Sequence, residues 1–179
     1  MIFTLVTAVG FGLVGVAFAI FAVGFRVVNL FDTPRAADEG DPPGYEVPYV
    51  RIGPLIGASA LGMTVYELNE GNSICPYHWE SPDEEWLIVL EGRPTLRDHE
   101  GEHQLEAGDL VCFPPGPDGA HKVTNCAPGR VLVAMLSTRA RTSLAVYPDS
   151  DKIGIFSSDD ETRLLVPRSA GVDYWQGEL

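Results

Sequence analysis

An all-β fold, a sandwich or barrel, is the class this sequence predicts, and three observations carry it. Short β-rich runs recur at close spacing, Gly and Pro turn signals bound them, and no stretch of helical periodicity interrupts them. The expected strands are 61–68, 74–79, 85–90, 95–97, 104–105, 110–113, 121–124 and 130–137. A last strand is expected to continue from the turn that begins at Asp149. Gly71 and Gly92 fall at strand ends, where a residue without Cβ takes positive φ at little cost.

At 179 residues the chain has the size of one domain with appendages, enough to bury a core without disulfides. No internal repeat is present, so one barrel is expected, over residues 50–148. Residues 27–49 read as an extended, acidic, Pro- and Gly-rich arm that serves as a linker or strap. Residues 149–179 read as a C-terminal strand and a tail along the outside of the barrel.

Residues 1–26 form an apolar segment, uncharged from Met1 to Phe25 and closed by Arg26, long enough to cross a bilayer as a helix. Three readings compete. A membrane anchor fits the length, although only Arg26 biases its orientation. A cleaved signal peptide lacks the positive leading region. In the third reading translation starts near Val27 or Val28 and the run is not made. The expected location is cytoplasmic, or membrane-anchored if residues 1–25 are present.

Composition excludes several function classes. With 25 acidic and 12 basic residues the formal charge is −13, and no basic stripe offers nucleic acid a footing. Cys75, Cys112 and Cys126 form no C-x-x-C pair, and their odd number argues against a secreted disulfide framework. All three read as structural thiols, with Cys75 on the strand face opposite His78. No nucleophile elbow, P-loop or dinucleotide fingerprint occurs.

The candidate site is His78, Glu80, Glu85 and His121. In a strand, residues i and i+2 share a face, so His78 and Glu80 point one way while Tyr77 and Trp79 point the other. Ser81-Pro82-Asp83 reverses the chain and returns Glu85 toward the same interior. Imidazole and carboxylate are common ligands of Zn, Mn, Fe and Ni. Two carboxylates facing an apolar interior repel one another and are poorly solvated, and one divalent ion cancels that charge. A lone histidine in such a position is otherwise satisfied by a backbone carbonyl.

At these residues the chain resembles the cupin superfamily. The first family motif, G-x5-H-x-H-x3-4-E-x6-G, is met at Gly71, His78, Glu85 and Gly92, with six residues after Gly71 and with Glu80 where a second His is usual. The second, G-x5-P-x-G-x2-H-x3-N, is met at Gly108, Pro114, Gly116, His121 and Asn125, with two extra residues before the His. CPYHWE, GAHKVTN and the closing VDYWQGE are similar to segments of small bacterial single-domain cupins. The resemblance implies a cupin double-stranded β-helix, a jelly-roll barrel, that holds one divalent transition metal (Zn, Mn, Fe or Ni) on His78, Glu80, Glu85 and His121. It also implies a homodimer, with Tyr77, Trp79 or Trp86 nearest the contact.

The expected function is to act on, or sense, a small polar organic molecule that chelates the metal, through dioxygenase, isomerase or decarboxylase chemistry if catalytic. The alternative is a non-enzymatic module that captures a carbohydrate or metabolite without a catalytic metal. An acid or base in the cavity beyond the four ligands would discriminate the two, and the sequence offers no obvious one. Asp98 to His103 reads as an exposed hairpin tip, and Asp149-Ser150-Asp151 as a turn without calcium-loop spacing.

Overall fold

The computed structural model describes residues 26–157 and 163–178. The anchor, signal and start readings fall on residues outside those described. Among the described residues no helix is long and apolar enough to cross a membrane.

Among the described residues, twelve strands and one short α-helix follow in order: β1 (Tyr49–Arg51), α1 (Ile52–Ile56), β2 (Leu61–Leu68), β3 (Trp79–Ser81), β4 (Glu85–Glu91), β5 (Thr95–Arg97), β6 (Glu102–Gln104), β7 (Leu110–Phe113), β8 (Lys122–Thr124), β9 (Val131–Thr138), β10 (Thr142–Tyr147), β11 (Lys152–Ser157) and β12 (Arg163–Pro167). One antiparallel sheet has the order β1-β2-β9-β4-β7. Facing it are β12-β11-β10-β3 and β6-β5-β8. Bridges between Ser73 and Thr124 and between His78 and His121 join these two into a second wall. The result is the all-β jelly-roll barrel that the sequence predicts.

Register explains which residues fill it. Across the inner face of the five-stranded sheet, Val89, Val133, Tyr66 and Tyr49 form one row, and Leu87, Met135, Thr64 and Arg51 the next. Glu85, Ser137 and Gly62 form the row beyond, at the mouth. The closed end is packed with Leu68, Leu87, Val89, Leu96, Val123, Val131 and Val133, all buried. β9 is apolar on both faces because Leu132 and Ala134 point the other way, into a second cluster with Val65 and Ile52. Val28 and Leu30 of the arm and Leu55 of α1 pack on that cluster. Arg35, its side chain nearly buried, anchors the arm to Glu67 at 3.0 Å.

Several local expectations change. Residues 74–77 bend and are not continuous with β3. β10 was not anticipated, yet it lies between β3 and β11, and β12 turns part of the tail into an edge strand. α1 is a single turn that tolerates Pro54 in its first turn and ends at Gly57, with φ 76. Tyr77, expected to face outward at a dimer contact, is buried, with the Arg97 guanidinium 4.1 Å from its ring centroid. Trp86 and Leu110 are exposed on the outer face of the five-stranded sheet.

The turn into β4 is held from within. Asp83 is buried and accepts hydrogen bonds from the Thr138 hydroxyl at 2.9 Å and the Ala140 amide at 2.8 Å. The same hydroxyl accepts one from the Glu84 amide at 3.0 Å. These bonds tie the residues just before Glu85 to the end of β9.

Candidate metal centre

His78 and His121 face each other across a pair of backbone hydrogen bonds, His78 N–H to His121 O at 3.1 Å and His121 N–H to His78 O at 2.8 Å. Directly opposed residues in an antiparallel pair put their side chains on one face. Accordingly the two imidazoles lie side by side, with centroids 4.9 Å apart. Glu85 reaches them from the opposite sheet, with Oε2 3.9 Å from His78 Nε2 and 3.7 Å from His121 Nε2. One oxygen and two nitrogens thus lie within 4.8 Å of one another.

The backbone sets the tautomers. His121 Nδ1 lies 2.9 Å from the Gly119 carbonyl and His78 Nδ1 lies 3.1 Å from that of Pro76. A carbonyl only accepts, so each Nδ1 carries the hydrogen and each Nε2 turns a lone pair to the cavity. His121 Nε2 is buried without a hydrogen-bond partner. Such an orphaned acceptor costs about 1–3 kcal/mol unless something coordinates it.

Electrostatics points the same way. Burial pushes His121 down to about 4 and also lowers His78, so both rings are neutral at physiological pH. Burial, with Glu80 and Asp83 nearby, pushes Glu85 up to about 8, and burial raises Glu80 as well. The close His–Glu distances are therefore not ion pairs. They are neutral donors and costly carboxylates gathered round one point, and a divalent cation fits them. Phe113, stacked on His121 at 3.7 Å, and Tyr147, stacked on His78 at 5.8 Å, fix the ring planes.

Glu80 stands at the edge of this group, its Oε1 3.9 Å from His78 Nε2. The cavity, about 240 Å³, is also lined by Tyr66, Cys75, Met135 and Tyr147. None of these four was among the candidates. Cys75 enters because the bends at 74–77 break strand parity, bringing Sγ to 3.5 Å from His78 Nδ1. Cys112, read as a structural thiol, is exposed on the outer face opposite Trp86. Tyr147 is carried by β10, whose β-rich TSLAVY was the available signal. The polar tip at Asp98 closes on itself, with His103 Nε2 3.1 Å from Asp98.

Comparison with known proteins agrees with this architecture. Residues 64–135 match the model of the family described as Cupin domain. A sugar phosphate isomerase from a cupin superfamily of Silicibacter pomeroyi aligns with a TM-score of 0.72 at 23% identity, over 81% of this chain and 94% of that one. A putative sugar phosphate isomerase from Acidithiobacillus ferrooxidans aligns with a TM-score of 0.67 at 22% identity, over 73% and 82%. The polyketide cyclase RemF from Streptomyces resistomycificus aligns with a TM-score of 0.51 at 21% identity, over 63% and 78%. No curated protein matches the sequence.

Proposed function

Because this chain is a small cupin-type protein, we propose that it holds one divalent transition metal on His78, Glu85 and His121, with Glu80 as a fourth ligand. The ion would serve to act on a small polar molecule that chelates it through open positions. The observation that carries this reading is the convergence of two Nε2 lone pairs and a carboxylate oxygen within 4.8 Å, one of those nitrogens buried without a partner. Two neutral histidines and two carboxylates balance an M²⁺ charge. When bound, such an ion supplies Lewis acidity to a chelated carbonyl or hydroxyl. Glu85 and the histidines hold the position, the Gly119 and Pro76 carbonyls keep the Nε2 atoms unprotonated, and the closed apolar end excludes water beneath it.

Among dioxygenase, isomerase and decarboxylase chemistries we put isomerisation first, because two solved relatives in fold carry that name. The non-enzymatic binding module remains the second reading, and one observation favours it. Beyond the four candidate ligands, burial holds Tyr66, Cys75 and Tyr147 in their protonated forms, so none is a free base near neutral pH.

Elemental analysis of protein purified without added metal tests the first claim, with close to one equivalent expected in the wild type and loss in His78→Ala and His121→Ala. Less than about a tenth of an equivalent after reconstitution would overturn it. Incubating the metal-loaded chain with aldose and ketose phosphates in D2O separates the two functional readings. Aldose–ketose conversion, with or without solvent deuterium at the carbon next to the carbonyl, supports an isomerase, and binding without conversion that persists in the metal-depleted chain supports the module.

A further inference from the structure

A second pocket, about 230 Å³, adjoins the mouth of the barrel and carries no acidic residue in its lining. Its polar side chains are Arg51, Thr64, Ser137 and Arg139, and Gly53 and Gly62 contribute bare backbone. In a chain with a formal charge of −13 that composition is unusual. Arg35, Arg93, Arg97, Arg130 and Arg168 each pair with a carboxylate, whereas Arg51 and Arg139, like Arg26, Arg141 and Arg163, have no such partner among the described residues. Two guanidinium groups without an ion pair among the described residues and two hydroxyls therefore line one depression, and Arg51 also borders a neighbouring one that holds Asp38 and Asp41. Arg51 is held over the Tyr49 ring, 5.4 Å from its centroid. Gly62 leaves the space open, since a Cβ there would come within 3.2 Å of Ser137 Oγ and 3.8 Å of the Arg139 side chain.

Sheet register ties this pocket to the candidate metal centre. Ser137 stands directly opposite Glu85, and Gly62 directly opposite Ser137. Thr64 likewise stands opposite Met135, which lines the metal cavity, and Arg51 opposite Thr64. Directly opposed residues share a face, so the pocket continues the same inner surface. With neighbouring strands about 4.8 Å apart, the β2 floor lies roughly 10 Å from the strand that carries Glu85.

We infer that Arg51, Arg139, Thr64 and Ser137 form a phosphoryl-binding subsite, and that the molecule handled here carries metal-chelating oxygens at one end and a phosphate at the other. Two guanidinium groups match a phosphate dianion in charge, their planar forks suit its oxygens, and the two hydroxyls add neutral donors. The subsite stands on its own residues, while its role as the second end of one ligand rests on the metal reading above. Arg51 and Thr64 also make the start of the chain's barrel part of recognition, because Arg51 precedes the residues that match the family model.

Inorganic phosphate is the probe, titrated calorimetrically into the full chain in its metal-depleted and metal-loaded forms. We expect saturable binding in both forms, weakened tenfold or more by Arg139→Gln and by Arg51→Gln, and unchanged by Arg168→Gln on the far side. Gly62→Val, which fills the space without removing charge, should weaken it comparably. Metal content in both arginine variants should stay at the wild-type value, and His121→Ala should lose metal yet keep phosphate binding. No saturable phosphate binding by the wild type, or binding unchanged in the Arg51→Gln/Arg139→Gln double variant, would overturn the subsite without touching the metal reading.

Discussion

Two ends of one strand obey opposite rules. At the closed end of the barrel β4 presents Leu87 and Val89 to a wholly apolar cluster, and Leu87 is fully buried. Two residues toward the mouth the same face presents Glu85 to two imidazoles. Burial of the first pair drives folding at about 25 cal/mol per Å² of apolar surface. Burial of the second set opposes folding, because a desolvated carboxyl and an orphaned acceptor each lose their water. The mouth is tolerable because the closed end stabilises it, and a ligand that binds only the folded chain offsets the cost.

The largest effect should come from the end that does no chemistry. Leu87→Ala removes a fully buried side chain from the main cluster and should lower stability by roughly 2–5 kcal/mol, read from urea melts. Metal stoichiometry per folded molecule should not change, and a loss of metal as large as in His121→Ala would show that the two ends are not separable.

The pH dependence of the metal-free chain should expose the contrast next. Glu85 rises from an ordinary 4.5 to about 8, so the folded state holds its proton more tightly, and stability falls as pH rises through that window. His121 falls from 6.5 to about 4, so the unfolded state takes its proton first, and stability falls as pH drops through that window. The opposing slopes leave the metal-free barrel most stable between 4.5 and 6.5, with a decline from 6.5 to 8. A bound cation keeps Glu85 ionised and His121 neutral, so the loaded chain should hold its stability from 6.5 to 8 while its advantage over the metal-free chain grows. Thermal melts of both forms at several pH values check this, and parallel profiles would contradict it.

Asp83→Ala should have a smaller effect, about 1–3 kcal/mol, because it strips partners from the Ala140 amide and the Thr138 hydroxyl. Since those bonds hold the entry to β4, metal affinity should fall as well, and calorimetric titration with zinc would read it. Glu80→Gln should be the mildest, weakening metal retention less than either His→Ala change. Retention lost as completely as in His121→Ala would make Glu80 an equal member of the set.

Much of the fold was legible because strand-sized runs with Gly and Pro punctuation have few other uses, and seven of the eight expected runs fall on observed strands or their ends. The exception is instructive. Residues 74–77 have the composition of a strand but bend, and the bend turns Cys75 into the cavity, where parity had put it on the opposite face. β10 escaped notice although TSLAVY is β-rich, and Tyr147 went with it. Motif spacing, a property of the chain alone, picked out His78, Glu80, Glu85 and His121 as candidates, of which the structure brings His78, Glu85 and His121 within 4.8 Å.

By itself, then, the sequence determined the class of fold, the acidic character and four candidate ligands, because period, turn chemistry and side-chain type are local. Only the tertiary structure decided which lone pairs meet. The opposed backbone bonds of His78 and His121, the carbonyls that choose their tautomers, and the arrival of Glu85 from the other sheet depend on pairing between residues distant in sequence. The same is true of Arg51 and Arg139, 88 positions apart in the chain, which the β1-β2-β9 order brings to one pocket. Strand order and register arise from global packing of the apolar faces, and no local window of residues contains them.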